Sequence, residues 1–153
     1  METKNNNYGK FGMMLIISFL VMYAVMFFNV DKFDHVYLSI TRAYMSLLMV
    51  TPMALLMLAM MPMMYNNKKI NTVIVVASVA VFVLSLTFLR KQTFITDQQY
   101  MKAMIPHHSS AILVSQEANL KDPKLKELAE GIIRSQEKEI AEMKQLLAKM
   151  ESE

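Results

Sequence analysis

Two methionines, a proline and two adjacent histidines lie close together in the segment MKAMIPHHSS, residues 101–110. The chain has three histidines in all, and the third is His35. Thioether sulfur is a soft, neutral ligand that suits Cu(I), and imidazole suits copper in either oxidation state. Zinc ordinarily takes cysteine, histidine or carboxylate rather than methionine. The segment therefore predicts a site for copper, as Cu(I) or Cu(II), rather than for zinc, magnesium or calcium.

A helix is expected to carry these side chains. Thr96 is followed three residues later by Gln99, a capping-box pattern that predicts a helix from about Asp97. Pro106 removes one backbone hydrogen bond inside that helix, so we expect the helix to bend there and to open room for a ligand.

A second helix is predicted to follow after a short turn at residues 119–121. The pair Asp122–Pro123 combines a good N-cap residue with proline at the first helical position, where its missing N–H is not needed. We expect this helix to run to about Lys149. Residues 91–153 should therefore form a helical hairpin.

One stripe of each helix should face the other, because apolar and small residues recur at alternating spacings of three and four. On the first helix this stripe consists of Met101, Met104, His108, Ala111, Ser115 and Ala118. On the second helix it consists of Leu125, Ala129, Ile132, Gln136, Glu139, Met143, Leu146 and Met150. A hairpin folded about residues 121 and 122 places residue 104 level with about 139, and residue 108 level with about 135.

This pairing predicts a metal site between the two helices. Met104, His108 and Met143 are the first predicted ligands, and Met101 and His107 are the next. Adjacent helix positions point about 100° apart, so the two histidines should not both bind one ion. If both bind, a second metal or a second subunit is expected.

Two polar residues interrupt the apolar stripe of the second helix, Gln136 and Glu139. Buried polar groups need partners, and we expect these two to accept an imidazole N–H and so to orient the histidine ring. The alternative is that the sulfur and imidazole are ordinary core residues. Methionine makes up 17 of the 153 residues, and a methionine stripe at helical spacing is usually core.

Three uncharged runs precede the hairpin, at residues 11–28, 43–65 and 70–89. Each is about long enough to cross a bilayer as a helix, which takes roughly 20 residues. The first run lacks a small-x-small cleavage site after Phe28, so it is expected to remain as an anchor. We therefore predict an all-α chain with a three-span membrane domain at residues 1–90 and a hairpin at residues 91–153.

The orientation in the membrane is not decided by charge. The basic residues on one side would be Lys4, Lys10, Lys68 and Lys69, and those on the other Lys32, Arg42, Arg90 and Lys91. Because the two counts are equal, the positive-inside rule does not favour either orientation. A thioether and imidazole site suits an oxidising, copper-exposed compartment, so we expect the N-terminus in the cytoplasm and the hairpin outside it.

The spans contain further methionines. Those of the first are Met13, Met14, Met22 and Met26, and those of the second are Met45, Met49, Met53, Met57 and Met61, followed by Met64. They are interpreted either as a thioether track for Cu(I) or as flexible residues that pack like leucine. No charged residue interrupts a span, so a proton relay is not indicated.

Enzymatic and nucleic-acid functions are not supported by the sequence. Neither His107 nor His108 has glutamate three residues before it, as a di-iron bundle would need. No Ser-His-Asp arrangement can be argued, and the chain has no cysteine. Residues 91–153 hold nine Lys or Arg and ten Asp or Glu, so they lack the basic face that nucleic acid requires.

Two motifs of the hairpin resemble the domain of unknown function 305 (DUF305) family. An M-x-x-H-H-x-x-A-I segment is matched by Met104, His107, His108, Ala111 and Ile112, and a later Q-x-x-E-I-x-x-M segment by Gln136, Glu139, Ile140 and Met143. The resemblance covers the stretch from about Tyr100 to Met143. It departs from many members at Val114, where they have methionine.

The resemblance implies an exported or membrane-anchored protein with a ferritin-like helical bundle, and for some members copper binding and copper resistance. One hairpin supplies half of a four-helix bundle, so a homo-oligomer is expected, most simply a dimer. The location implied is the inner membrane of a bacterium, with a periplasmic or extracytoplasmic hairpin. Other copper-handling proteins are the partners that such a role would need, besides the lipid bilayer.

Two functions follow as hypotheses. The first is a membrane-anchored protein that binds copper through methionine and histidine in copper handling or resistance. The second is a structural membrane module whose hairpin mediates self-association without metal. Neither is an enzyme.

Overall fold

The computed structural model describes residues 2–152 and the side chains from Asn7 onward. These residues form five α-helices and one short 3-10 helix, Phe33–His35, with no strand among them. The prediction of an all-α chain is confirmed for the described residues. The helices are α1 (Glu2–Val25), α2 (Ile40–Met60), α3 (Lys68–Lys91), α4 (Asp97–Glu117) and α5 (Pro123–Ser152).

Three of the helices are long and apolar enough to cross a membrane, over Asn7–Val25, Ile40–Met60 and Lys68–Lys91. Only 6, 22 and 11% of their apolar windows are buried within the protein. Most of the apolar surface of these helices is therefore not covered by other described residues of the protein.

The first two of these helices end earlier than the sequence predicts. α1 ends at Val25 rather than residue 28, because Met26–Asn29 form a turn. α2 ends at Met60 rather than residue 65. The reason is Pro62, since the residue before a proline is pushed out of the helical conformation.

Side-chain caps fix where the later helices begin. The Oγ1 of Thr96 accepts a hydrogen bond from the backbone N of Gln99 at 3.4 Å. The Oδ1 of Asp122 accepts one from the backbone N of Leu125 at 2.9 Å. Both predicted starts of the hairpin helices are therefore confirmed. Asn67 caps α3 in the same way.

The chain divides into two compact units. The first consists of the residues up to Val25 together with Thr41–Phe94, and its core is Phe11, Ala54, Leu58 and Tyr65. The second consists of Met26–Ile40 and the residues from Ile95 on, and its core is Met101, Ile105, Ile112, Ile140 and Leu147. The loop between α1 and α2 thus belongs to the same unit as the hairpin.

The buried stripe of α5 differs from the predicted one by a rotation of about one residue. Ile140 and Leu147 are buried in the core, and Ile133 packs against them. The predicted stripe is wrong at four apolar positions, which are exposed: Leu125, Ile132, Leu146 and Met150. The rotation brings Ile140 into the seam and leaves Glu139 at its edge, where a carboxylate keeps contact with water and avoids the cost of burial.

Candidate metal centre

His108 and Glu139 meet between the two helices of the hairpin. The Nε2 of His108 lies 2.7 Å from Oε2 of Glu139. His108 is 8% exposed, whereas the carboxylate side chain is 45% exposed. The distance is that of a strong, charge-assisted hydrogen bond. One helix therefore contributes the imidazole and the other contributes the group that orients it.

The sequence places residue 108 level with about residue 135. The observed partner of His108 is Glu139, one helical turn further along α5. Side chains of a helix lean toward its N-terminus. In an antiparallel hairpin, the His108 ring thus leans away from the connecting turn and the Glu139 carboxylate leans toward it. The two side chains meet although their backbone positions are offset.

The second ring nitrogen of His108 has no hydrogen-bond partner and is fully buried. A carboxylate only accepts hydrogen bonds, so the contact with Glu139 assigns the ring proton to Nε2. In the neutral imidazole, Nδ1 then carries a lone pair. A buried polar atom without a partner is costly, and a lone pair of this kind is the form in which histidine binds metal.

Glu139 is itself held in place by its own helix. Its Oε1 accepts a hydrogen bond from the hydroxyl of Ser135 at 2.7 Å. The Ser135 hydrogen bond and then the His108 hydrogen bond lower the pKa of Glu139 below its usual value. The carboxylate is therefore ionised near neutral pH and able to accept the imidazole proton. This is the arrangement in which a carboxylate orients a metal-binding histidine.

The predicted sulfur ligands lie in different environments. Met101 is buried in the core of the second unit at 5% exposure, and Met143 packs against the same core. Met104 is half-buried. The structure thus places two of the three sulfurs in one cluster, within the unit that holds His108. Their assignment as ligands stays a prediction.

His107 points away from the buried site. Its side chain is exposed, and its ring centroid lies 6.2 Å from that of His108, with the rings tilted by 68°. Gln136, the other residue expected to orient a ring, is half-buried. Whether His107 or Gln136 takes part in binding stays a prediction. Of the pair, His108 is the one that faces the hairpin seam.

A site built only from histidine and carboxylate is not formed. The residues that the structure describes contain no group of three or more His, Cys, Asp or Glu side chains that could hold a metal. The neutral side-chain donors that the same unit offers to a metal at Nδ1 of His108 include the thioethers of Met101 and Met143. That donor set fits copper, above all Cu(I), and fits zinc poorly.

A model of the family described as "Domain of unknown function (DUF305)" matches residues 57–147. The chain belongs to the DUF305 family. The match begins in α2 and so extends well beyond the motif-bearing stretch of the hairpin. An uncharacterized protein of Acanthamoeba polyphaga mimivirus is 36% identical over 138 residues, which cover 88% of this chain and 89% of the viral protein. No solved structure matches the chain.

A second polar cluster in this DUF305 chain was missed by sequence reasoning. The Oγ of Ser109 lies 2.9 Å from Nδ1 of His35 and accepts a hydrogen bond from the backbone N of Asp31 at 2.8 Å. The next serine accepts a hydrogen bond at 2.7 Å from the side-chain amide of Asn29. Together these bonds dock the α1–α2 loop of the DUF305 chain on α4, directly after the histidine pair.

The same loop is tied to α5 as well. The Nζ of Lys144 donates to the Asp34 carboxylate at 2.6 Å, and this bond lowers the pKa of Asp34. His35, Asp34 and Lys144 are among the residues that line a pocket of about 280 Å³. The sequence offered one signal for this cluster. The third histidine, His35, lies in the short segment with charged residues between the first two uncharged runs.

Ser109, His35 and Asp34 resemble the serine, histidine and aspartate of a catalytic triad. Their geometry, however, suits a structural contact and not catalysis. Ser109 is completely buried, and its oxygen already accepts the Asp31 N–H. The His35 Nε2 lies 3.8 Å from Asp34, beyond hydrogen-bond distance. Ser109 therefore fastens the loop and offers no accessible nucleophile.

Proposed function

We propose that this DUF305 protein is a membrane-anchored metal-binding protein that binds copper in copper handling or resistance. The observation that carries the proposal is the buried, unpartnered Nδ1 of His108, opposite a nitrogen whose proton is fixed by Glu139. His108 would bind the metal through Nδ1. Copper is the cargo in this proposal, and the chain supplies its ligands.

The remaining ligands would come from the methionines of the same unit. Met101, Met104 and Met143 are the candidates, of which Met101 and Met143 share the hairpin core. Neutral thioethers around one neutral imidazole favour a soft, singly charged ion, which is Cu(I). His107 is exposed and would bind an arriving or a second ion.

The location proposed is the inner membrane of a bacterium, with the hairpin periplasmic or extracytoplasmic. The exposed apolar surfaces of the three candidate spans support insertion in a bilayer. Two crossings, α2 and α3, separate the α1–α2 loop from the hairpin and would put both on one side of the membrane, and these two segments belong to one compact unit. Reporter fusions at Lys91 and at the C-terminus test this orientation; cytoplasmic reporter activity at both would contradict it.

Self-association of the hairpin is the alternative function, and the exposed face of α5 favours it. Five large apolar residues of this helix are exposed: Leu125, Leu128, Ile132, Leu146 and Met150. The occupant proposed for this face is a second copy of the chain, since two hairpins complete the four-helix bundle that the family resemblance implies. Native mass measurement in mild detergent, comparing wild type with Leu128→Ser/Ile132→Ser, tests it. A monomeric wild type would contradict it.

A Cu(I) titration of the full chain in mild detergent separates the two functions. Met101→Leu/Met143→Leu keeps volume and apolarity but removes two sulfurs, and Met13→Leu/Met14→Leu is the matched control in α1. We expect the hairpin pair, and His108→Ala, to weaken Cu(I) binding by about tenfold or more, and the control to have no effect. Unchanged binding in both test variants would show that the hairpin does not hold copper and would leave self-association as the function of the hairpin.

A further inference from the structure

Four methionines surround Pro62 in the turn between α2 and α3. We call Met60–Met64 the methionine turn. Its thioether side chains are exposed: Met60 by 77%, Met61 by 44%, Met63 by 94% and Met64 by 49%. The core of this unit is formed by other residues. Packing within the protein therefore does not explain four methionines in five positions.

The backbone of the methionine turn is fixed. The N of Met61 donates to the carbonyl of Met57 at 3.1 Å, and the carbonyl of Met61 accepts from the N of Met64 and of Tyr65 at 3.1 and 3.2 Å. Tyr65 follows directly and is buried at 4% exposure, where its ring packs edge-on against Phe11. The turn is thus a preorganised base that carries four long, flexible side chains.

The C-terminal end of the turn is also anchored by side chains outside it. The Asn7 amide donates to the Met64 carbonyl at 3.5 Å, and the Asn71 amide donates to the Tyr65 carbonyl at 2.7 Å. The hydroxyl of Tyr8 donates to the Asn71 side chain at 2.8 Å. The first two contacts hold backbone carbonyls, the third braces the Asn71 side chain, and none of them involves a methionine sulfur.

Sulfur is the only strong ligand type that this turn offers. No charged residue occurs between Arg42 and Lys68, so the turn itself offers no carboxylate to cations such as Mg²⁺ or Ca²⁺. Asn67 uses its side-chain oxygen to cap α3. Thioethers without carboxylate or imidazole select a soft, singly charged ion.

We propose that the methionine turn is a second Cu(I) site, which binds the ion through three or four of its thioethers. The proposal takes its cargo, copper, from the proposed function. It shares no residue with the His108 site, so either site can fail while the other stands. In the three-span topology the turn lies on the side of the N-terminus, where it would receive or release Cu(I) at the membrane surface.

Lipid contact is the competing explanation for the exposed methionines. Leucine would serve lipid contact equally well, because it is similar in volume and apolarity. The turn is also followed by Asn66, Asn67, Lys68 and Lys69, which are polar residues typical of the water-facing edge of a bilayer. Replacement of methionine by leucine therefore separates metal binding from lipid contact.

The test is an anaerobic titration of the full chain in detergent with Cu(I) alone, against a competing chelator. The variants are Met60→Leu/Met61→Leu, Met63→Leu/Met64→Leu and the combination of both pairs. Met13→Leu/Met14→Leu is the matched control, since it removes another exposed Met-Met pair, of 62 and 41% exposure. Helix content by circular dichroism verifies that each variant is folded; the two pairs remain informative if the combination does not fold.

The combined variant is expected to bind one Cu(I) fewer than wild type, and each pair to bind that ion about tenfold or more weakly. The control should bind as wild type does. His107→Ala/His108→Ala should retain this ion, with an X-ray absorption spectrum that contains sulfur neighbours and no imidazole. Unchanged stoichiometry in the leucine variants, an equal loss in the control, or loss of this ion in the histidine variant would each overturn the proposal.

Discussion

The imidazole Nδ1 of His35 lies 2.9 Å from Oγ of Ser109, the residue that directly follows the histidine pair. His35 is 6% exposed and Ser109 is fully buried. The contact joins the α1–α2 loop to α4 across 74 positions of sequence. The loop that leads into α2 is therefore fastened next to His108, the candidate copper ligand.

Replacement of Ser109 by alanine should loosen this loop. The change leaves the backbone N–H of Asp31 and the Nδ1 of His35 without a partner, and each unsatisfied buried group costs about 1–3 kcal/mol. We expect faster hydrogen exchange in residues 26–40 and a lower unfolding midpoint. Ser110→Ala is the control, because its bond to Asn29 is exposed and should matter less. Equal effects of the two variants would refute the role given to Ser109.

The docking of the loop should depend on pH through His35. Burial, and next the nearby Lys144, lower the pKa of His35 below its ordinary value of 6.5. The neutral ring is thus favoured in the docked state. Above about pH 6.5 the ring is neutral whether docked or not, and docking is at full strength. As the pH falls below that value, the undocked state takes up the proton first and docking weakens.

The rate of proteolysis within residues 26–40, compared between about pH 7.5 and pH 5, measures how strongly the loop is docked. Carboxylates stay largely ionised over this range, so the histidines are the side chains that titrate. His35→Gln removes the titrating group and should flatten the difference between the two pH values. The other charged groups that face His35 are Asp31, Lys32, Asp34 and Lys144, and they remain in the variant. The same pH dependence in wild type and variant would assign the effect to another residue.

The seam of the hairpin is testable with two adjacent leucines. Leu147 is 2% exposed and Leu146 is 52% exposed, although the sequence pattern places Leu146 in the seam. Leu147→Ala should destabilise the second unit by about 2–5 kcal/mol, whereas Leu146→Ala should change its stability by only about 0.5 kcal/mol. Chemical unfolding of the full chain in detergent, followed by helix content, gives both values. A larger loss of stability for Leu146→Ala than for Leu147→Ala would instead support the stripe that the sequence predicts, with Leu146 in the seam.

These two leucines also illustrate what the sequence could and could not predict. Helix starts depend on adjacent residues, so the caps at Thr96 and Asp122 were predictable. The rotation of α5 was not, because Ile132–Ile133 and Leu146–Leu147 permit two seams one residue apart. Glu139 and Ile140 decide between them through the cost of burying a carboxylate.

Contacts between residues far apart in the sequence could not be predicted from local patterns, for a different reason. The contact between His35 and Ser109 arises only when the α1–α2 loop folds back on α4, and no periodicity connects residues that far apart. The unpartnered nitrogen of His108 likewise depends on which carboxylate reaches the ring. Spacing pointed to His108 as a candidate, whereas the structure was needed to show which of its ring nitrogens has no partner.

Glu139 gives the sharpest test of the copper site, because it acts on the ring of His108 without being a proposed ligand. Glu139→Gln keeps the size of the side chain but removes its charge, so the hydrogen bond to Nε2 weakens and the ring is held less firmly in the tautomer that frees Nδ1. Cu(I) affinity should fall by about 10–100-fold, less than with His108→Ala. Glu142→Gln, on the same helix, is the control. A competition titration of the full chain measures all three variants. Glu139→Gln with wild-type affinity would show that the contact only stabilises the hairpin, and that copper, if bound, is held elsewhere.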